Sequence, residues 1–201
     1  MDCRIFTRME ERNPAITNGP ITTDERTYAL DLLHTTRDAL RQAVAGLSDA
    51  QQQYKPTPDR WSIAENVEHI VLVERGIFRT VQKAMDLPAD GARRSTIKVS
   101  DVYVIKAVRS RGRGVATVAP APFVPTGRFG DLAGALTAFE QQRADVVAYV
   151  QTAPDDLRLH YFEHFVLGTL DAYQALLLLA SHGERHRKQI EEVKSSENFP
   201  A

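Results

Sequence analysis

Cysteine is almost absent from the sequence, and this limits the bonds and sites that the chain can form. The 201 residues include one cysteine, Cys3, so a disulfide within the chain and a zinc site built from several thiolates are both excluded. Proteins without disulfides are typical of reducing compartments. A cytoplasmic location is therefore expected.

A surplus of charge and long apolar runs are also missing. Lys and Arg number 25 and Asp and Glu number 26, for a net charge of −1, whereas nucleic acids and anionic membrane surfaces attract a basic surplus. Apolar runs such as residues 175–180 are far shorter than the roughly 18 residues of a membrane span. The charged first residues also lack the apolar region of a signal peptide. We expect a soluble protein with no nucleic-acid partner and no membrane partner.

Helical signals dominate what is present. Thr22-x-x-Glu25 and Ser62-x-x-Glu65 are capping boxes, in which the hydroxyl and the carboxylate each bond a free backbone N–H group at a helix start. Apolar residues then recur at three- and four-residue spacing, which is typical of a helix with one apolar face. We predict four long helices, which run from about Thr23 to Leu47, from Ser62 to near Asp86, from near Asp131 onward, and from an N-cap at Thr169 to residues 192–195.

Four helices that each have one apolar face can bury those faces together only as a bundle. No segment alternates convincingly enough to predict a strand. The predicted fold class is therefore all-α, a four-helix bundle with a long insertion at residues 89–130 between the second and third helices. A short helix is expected inside the insertion over Ser100–Arg109. We predict a flexible tail at residues 1–21 and a single domain over residues 22–197.

Three histidines on the predicted helices could meet in the core. His182 and His186 are four residues apart, so on a helix their side chains lie about 40° apart and one turn along. His69 lies at the boundary of the apolar face of the second helix and could face this pair across the bundle. Neutral imidazoles in a core either form hydrogen bonds or share a metal ion. Three of them with an open position are typical of a catalytic Zn²⁺ or similar ion, and spacing alone leaves both interpretations open.

Longer motifs around these histidines resemble a known family. Trp-Ser-x-x-Glu-x-x-x-His occupies residues 61–69, Val-Pro-Thr-Gly residues 124–127, and His-x-x-x-His-x-x-Gln-Ile residues 182–190. Together they resemble the DinB-like superfamily from residue 22 to residue 193. The resemblance implies a four-helix bundle of DinB-like topology and a divalent metal ion, most often nickel or zinc, held by three histidines. Carried onto this chain, the implied ligands are His69, His182 and His186.

The resemblance implies a class of chemistry and leaves the reaction open. Some members use a low-molecular-weight bacterial thiol in S-transfer or isomerisation, and relatives often form homodimers, so a homodimer is expected here. The first hypothesis is a divalent-metal-dependent transferase or hydrolase that acts on a small molecule, with such a thiol as a candidate co-substrate. The alternative is a non-catalytic metal-binding stress-response protein of the same fold. The third hypothesis is a structural bundle whose histidines hold no metal.

Three further residues have both a functional and a structural interpretation. Glu65 lies one turn before His69, but it already belongs to a capping box, which favours the structural interpretation. Arg143, inside the apolar stripe of the third helix, could hold a carboxylate or phosphate of a substrate, although an ion pair with an acidic neighbour is favoured. His164 could assist the site or complete it in place of His69, although a hydrogen bond within a loop is favoured.

Overall fold

Four long helices form the body of the protein in the computed structural model, which describes residues 17–110 and 119–201. In chain order the helices are α1 (Thr23–Val44), α2 (Asp49–Gln53), α3 (Ile63–Met85), α4 (Asp101–Arg109), α5 (Leu132–Thr152) and α6 (Ala172–Lys194). The four predicted long helices are α1, α3, α5 and α6, and the short helix expected in the insertion is α4. The predicted tail at residues 1–21 lies largely outside the described residues.

Side-chain caps explain where two of the long helices begin. The Thr22 hydroxyl accepts the Glu25 N–H at 3.2 Å, while the Glu25 carboxylate accepts the Thr22 N–H at 2.8 Å. Ser62 and Glu65 form the same reciprocal bonds at the start of α3, as the sequence predicts. Each bond satisfies an N–H group that has no partner inside its helix.

The long helices are not arranged as a simple up-and-down bundle. Both α1 and α3 pack against α5 and α6. Long helices that follow one another in the chain, α1 with α3 and α5 with α6, therefore lie diagonally opposite each other. This arrangement places α3 directly beside α6, and so it brings the two helices with the predicted ligands together.

Apolar side chains fill the space between the helices. One group of buried residues includes Leu32 and Leu176, and a second includes Ile63 and Phe139. Each such side chain contributes about 1.5–3 kcal/mol when it is fully removed from water, so helix packing dominates the stability of the fold. Across residues 17–110 and 119–201, no helix combines the length and the apolar character that crossing a bilayer requires.

A hairpin before α6 is the main departure from the predicted fold. Strand β1 (Tyr161–His164) pairs antiparallel with strand β2 (Gly168–Asp171). The predicted N-cap at Thr169 is wrong, because Thr169 lies inside β2. The cap is Asp171, whose carboxylate accepts the Gln174 N–H at 2.7 Å.

The first long helix is shorter than predicted. It ends at Val44 rather than near Leu47, because Gly46 follows with a φ of 71°. This left-handed conformation ends helices readily and is accessible to glycine, which has no Cβ.

The insertion between α3 and α5 is described except for residues 111–118. Helix α4 packs against α6, and the Ser100 hydroxyl caps its first turn. Two 3-10 helices, Ala92–Thr96 and Ala121–Phe123, lie on either side of it in the chain. The second of them runs beside α3, where a Cβ at Gly76 would lie 2.9 Å from the Phe123 ring. The end of the insertion is thus packed closely on the helix that carries His69.

Candidate metal centre

Helices α3 and α6 bring three histidine rings together where they pack. The rings of His182 and His186, one turn apart on α6, have centroids 4.5 Å apart. The His69 ring lies 5.1 Å from His182 and 4.5 Å from His186. One nitrogen of each ring lies within 4.8 Å of the other two. His69, His182 and His186 are called the histidine cluster below.

A backbone carbonyl sets the position of the proton on His69. The Nδ1 atom lies 2.7 Å from the Phe123 carbonyl oxygen, and since a carbonyl can only accept, Nδ1 carries the proton and Nε2 keeps its lone pair. Burial lowers the pKa of His69 below its usual value, and the bond to Phe123 offsets this in part. The ring is therefore neutral at neutral pH, which is the form that binds a metal ion.

An asparagine side chain sets the position of the proton on His186. The Asn66 amide nitrogen donates to the Ser62 carbonyl at 2.8 Å, so the amide oxygen faces His186, 3.1 Å from its Nδ1. The hydrogen-bond network thus assigns the His186 proton to Nδ1. Its Nε2 keeps a lone pair, as in His69.

His182 differs from His69 and His186 in its hydrogen bonding. Its Nδ1 is buried and has no hydrogen-bond partner among the described residues. Burial lowers the pKa of His182 well below its usual value, and the nearby Arg185 and Arg143 guanidinium groups act in the same direction. A buried nitrogen without a partner is unfavourable by about 1–3 kcal/mol. This nitrogen, together with the neutral imidazoles of the cluster, fits a divalent first-row metal ion.

Trp61, which directly precedes the cap of α3, forms one wall of the cluster. Its ring lies 4.5 Å from the His69 ring, and 6.0 Å from the His186 ring in a nearly parallel orientation. Both Trp61 and His182 are partly exposed. The cluster therefore reaches the protein surface, where a small molecule can approach it.

A buried ion pair supports the turn of α6 that carries two of the rings. The Arg143 guanidinium donates to the Glu74 carboxylate at 2.8 and 2.6 Å, and also to the Leu33 carbonyl and the Thr36 hydroxyl. A Cβ at Gly183, between the two histidines, would lie 2.9 Å from Arg143 Nη2 and 3.1 Å from Glu74 Oε1. Arg143 thus forms the ion pair that the sequence favours, and its N–H groups point at protein acceptors rather than at a substrate.

The other candidate residues have structural partners. Glu65 caps α3 and also pairs with Lys55 at 2.6 Å. His164 Nδ1 accepts the N–H groups of Val166 and Leu167 at 3.2 and 3.1 Å in the hairpin turn. Of the two histidines considered as the third member, the structure brings His69 to the pair on α6.

Two residues that orient the rings are missing from the sequence interpretation. Asn66 lies within the motif of residues 61–69 and three positions before His69, so its place on the same side of the helix is a signal that could have been used. Phe123 acts through its backbone carbonyl, and no side-chain pattern indicates such a role.

Comparison with known families decides the relationship of the chain. The sequence model of the DinB superfamily matches residues 32–190, a range that includes all three histidines. The chain belongs to the DinB superfamily. The fold is accordingly the predicted four-helix bundle of DinB-like topology, with its long insertion between the second and third long helices.

One solved structure similar to this DinB-superfamily chain is that of YfiT from Bacillus subtilis. The two share 16% sequence identity over 92% of this chain and 95% of that chain, with a TM-score of 0.59. YfiT is described as a probable metal-dependent hydrolase with an unusual four-helix bundle topology. At this identity the similarity establishes a shared fold. A comparison with curated proteins gives no significant match.

Proposed function

We propose that this DinB-superfamily protein is a divalent-metal-dependent enzyme, a hydrolase or a transferase, whose ion is held by His69, His182 and His186. The observation that carries the proposal is the histidine cluster, in which one nitrogen of each ring lies within 4.8 Å of the others. Nickel and zinc are the proposed ions, because both accept imidazole ligands. The similarity to YfiT, a probable metal-dependent hydrolase, supports the same class of chemistry.

The surrounding residues prepare the rings for this role. By donating Nδ1–H to Phe123 and Asn66, His69 and His186 each hold one ring orientation and one tautomer. Such bonds also raise the basicity of the other ring nitrogen. A divalent ion held by these three histidines would lower the pKa of a bound water or thiol toward neutral values.

Metal binding is the first measurement. Trp61 is the single tryptophan of the sequence and lies 4.5 Å from the His69 ring, so its fluorescence should report an ion in the cluster. Chelator-treated protein titrated with Zn²⁺ or Ni²⁺ is expected to bind one ion per chain with a change in Trp61 emission.

Alanine variants test which side chains hold the ion. We expect His69→Ala to weaken binding strongly, since two imidazoles are left to hold it. The matched control is His34→Ala, the same substitution on α1 and outside the cluster, which should keep the affinity of the wild type. Equal binding by His69→Ala and the wild type would overturn the assignment.

The partial exposure of Trp61 and His182 favours an enzyme over a non-catalytic metal-binding protein, because a substrate can reach the cluster. Turnover of activated esters, amides and electrophiles by the metal-loaded protein tests this, in assays with and without added thiol. Hydrolysis without thiol indicates a hydrolase, and a product that contains the thiol indicates a transferase. Binding of metal without any turnover would favour the non-catalytic alternative.

The partner of this site is proposed to be a small molecule, with a low-molecular-weight thiol as a candidate co-substrate. The net charge of −1 supports the absence of a nucleic-acid or anionic-membrane partner. The homodimer and the cytoplasmic location stay predictions. Sedimentation velocity at micromolar concentration tests the first, and cell fractionation tests the second.

A further inference from the structure

Both carboxylate oxygens of Glu68, the residue before His69, accept hydrogen bonds from the end of the insertion. Its Oε1 accepts the N–H groups of Thr126 and Arg128 at 2.9 and 3.1 Å, and its Oε2 accepts that of Gly127 at 2.8 Å. Glu68 is only 5% exposed. Because hydrogen bonds to a charged acceptor are roughly twice as strong as neutral ones, this turn is held firmly against α3.

The same segment supplies the hydrogen-bond acceptor of His69. Phe123 lies three residues before Thr126 and places its carbonyl 2.7 Å from His69 Nδ1. Pro125 lies between them, and proline restricts both its own backbone and that of the preceding residue. A shift of the turn at residues 126–128 is therefore transmitted to the carbonyl that fixes the proton on His69.

We propose that Glu68 is a positioning residue for the metal centre. By holding residues 126–128, Glu68 places the Phe123 carbonyl on His69, and so it selects the His69 tautomer in which Nε2 is free for an ion. This inference deepens the proposed function and rests on it for the metal-affinity measurement. The tautomer of His69 is a property of the metal-free protein and tests the positioning role separately.

Two substitutions of Glu68 separate the effect of the position of its carboxylate from the effect of its charge. Glu68→Gln keeps the size of the side chain but replaces one acceptor oxygen by an NH₂ group, which faces a backbone N–H and cannot accept it. Glu68→Asp keeps the charge and shortens the side chain by one methylene group, so the carboxylate no longer reaches all three N–H groups.

Glu65→Gln is the matched control. It also removes a carboxylate from α3 that accepts a backbone N–H, but the bonds of Glu65 go to Ser62 and Lys55 rather than to residues 126–128. All variants are compared at equal helicity by circular dichroism, so that a loss of fold is recognised.

The readouts are the His69 tautomer and the affinity for Zn²⁺ alone. In the metal-free wild type, ¹H–¹⁵N correlation spectra of the His69 ring at mildly alkaline pH are expected to show a protonated Nδ1 and an unprotonated Nε2. Both Glu68 variants are expected to lose this preference. Their Zn²⁺ affinity is expected to fall roughly 10- to 100-fold, the range for loss of a group that orients a metal ligand, whereas Glu65→Gln should stay within about twofold of the wild type.

Each outcome bears on a different statement. If both Glu68 variants keep Nδ1–H on His69 and bind Zn²⁺ like the wild type, the positioning role is overturned. A loss in Glu68→Gln that is absent in Glu68→Asp would overturn it too, because charge rather than position would then be responsible. If the tautomer changes as expected while no form of the protein binds metal, the proposed function fails and the positioning role stands.

Discussion

Two of the groups of buried polar side chains inside the bundle differ in whether their ionisable groups face an opposite charge. The arginine–carboxylate network consists of Glu25, Arg94, Asp101, Arg158 and Asp171. Within it, the fully buried Arg158 donates to Glu25 and Asp101 at 2.6 and 2.7 Å, and Arg94 donates to Asp171. The histidine cluster lies farther along α6, and its His182 Nδ1 has no hydrogen-bond partner in the described part of the chain.

This difference shows whether each group of side chains has ligand atoms for an added cation. Burial disfavours the charge on Arg158, but the bonds to Asp101 and the charges of the other carboxylates outweigh it and raise the pKa of Arg158. In the cluster, burial lowers the pKa of His69 and His182, so these rings stay neutral and keep lone pairs. The arginines and carboxylates of the network thus pair with one another, whereas the cluster has three ligand atoms placed where they could hold a cation.

Removal of the central arginine should give the largest effect. Arg158→Met is expected to lower the free energy of unfolding by about 3–5 kcal/mol, because the buried carboxylates of Glu25 and Asp101 lose their ion pairs with Arg158. Urea unfolding followed by circular dichroism measures the change. Arg93→Met is the control, since its pair with Glu163 lies at the surface and such pairs contribute about 1 kcal/mol or less. Equal losses in the two variants would contradict the comparison.

A methyl group at Gly183 should strain the support of the histidine cluster. Gly183→Ala places a Cβ 2.9 Å from Arg143 Nη2 and 3.1 Å from Glu74 Oε1, and overpacking of this kind destabilises by about 1–3 kcal/mol. The sign of the change in the free energy of unfolding is informative, because replacing glycine by alanine inside a helix is otherwise stabilising. At Gly91 a Cβ would meet nothing within 4 Å, so Gly91→Ala should be close to neutral. If Gly183→Ala is more stable than the wild type in the same urea assay, the Arg143–Glu74 ion pair can move to make room for the methyl group at little cost.

Acid should lower the stability of the metal-free protein through His69 in the cluster. A histidine whose folded-state pKa lies below its unfolded value of 6.5 binds more protons in the unfolded chain. The stability that it contributes is complete above pH 6.5 and is lost as the pH falls toward the folded-state pKa. For His69 the loss is at most about 1.4 kcal/mol per pH unit.

Urea midpoints of metal-free protein, measured across this pH range, test the acid effect. His69→Phe is expected to have a shallower pH dependence than the wild type, whereas bound Zn²⁺ should make it steeper, because the ion keeps the folded-state imidazoles unprotonated while those of the unfolded chain still bind protons. Identical slopes for wild type and His69→Phe would mean that His69 does not titrate differently in the two states.

The smallest expected effect is that of His182→Leu on the metal-free protein. It removes a buried nitrogen that has no hydrogen-bond partner, but it also removes the ring contacts with His69 and His186. These two effects oppose each other, so the free energy of unfolding should change by about 0.5 kcal/mol or less. His160→Leu is the contrast, because His160 Nδ1 donates to the Ala84 carbonyl at 3.0 Å, and the loss of such a buried hydrogen bond costs about 0.5–1.5 kcal/mol. A larger loss for His182→Leu than for His160→Leu would show that His182 has a structural role.

Local signals explain how much of the fold could be predicted. The bundle and the starts of α1 and α3 follow from periodicity and capping boxes, and the bundle is confirmed. The predicted start of α6 at Thr169 is wrong, although Asp171-x-x-Gln174 is itself a capping box that marks the observed start. The short helix α2 begins with another, Ser48-x-x-Gln51. These two elements were therefore readable from the sequence.

Other features depend on residues that are distant in the chain. Each hairpin strand has four residues, too few to show alternation. The spacing of His182 and His186 predicts their proximity, but the partner that orients His69 lies 54 positions away, at Phe123. No local pattern records such a contact. The single domain over residues 22–197 stays a prediction.

The distance along the chain between α3 and α6 has a consequence for folding kinetics. Asn66 and His186, which are in contact, lie 120 positions apart, and closing so long a loop is entropically unfavourable and slows folding. We therefore expect the histidine rings to converge late, in species that are already nearly native. Interactions that are absent from the transition state change the unfolding rate and leave the folding rate almost unaltered. A bound ion would lengthen the lifetime of the finished protein without hastening its formation.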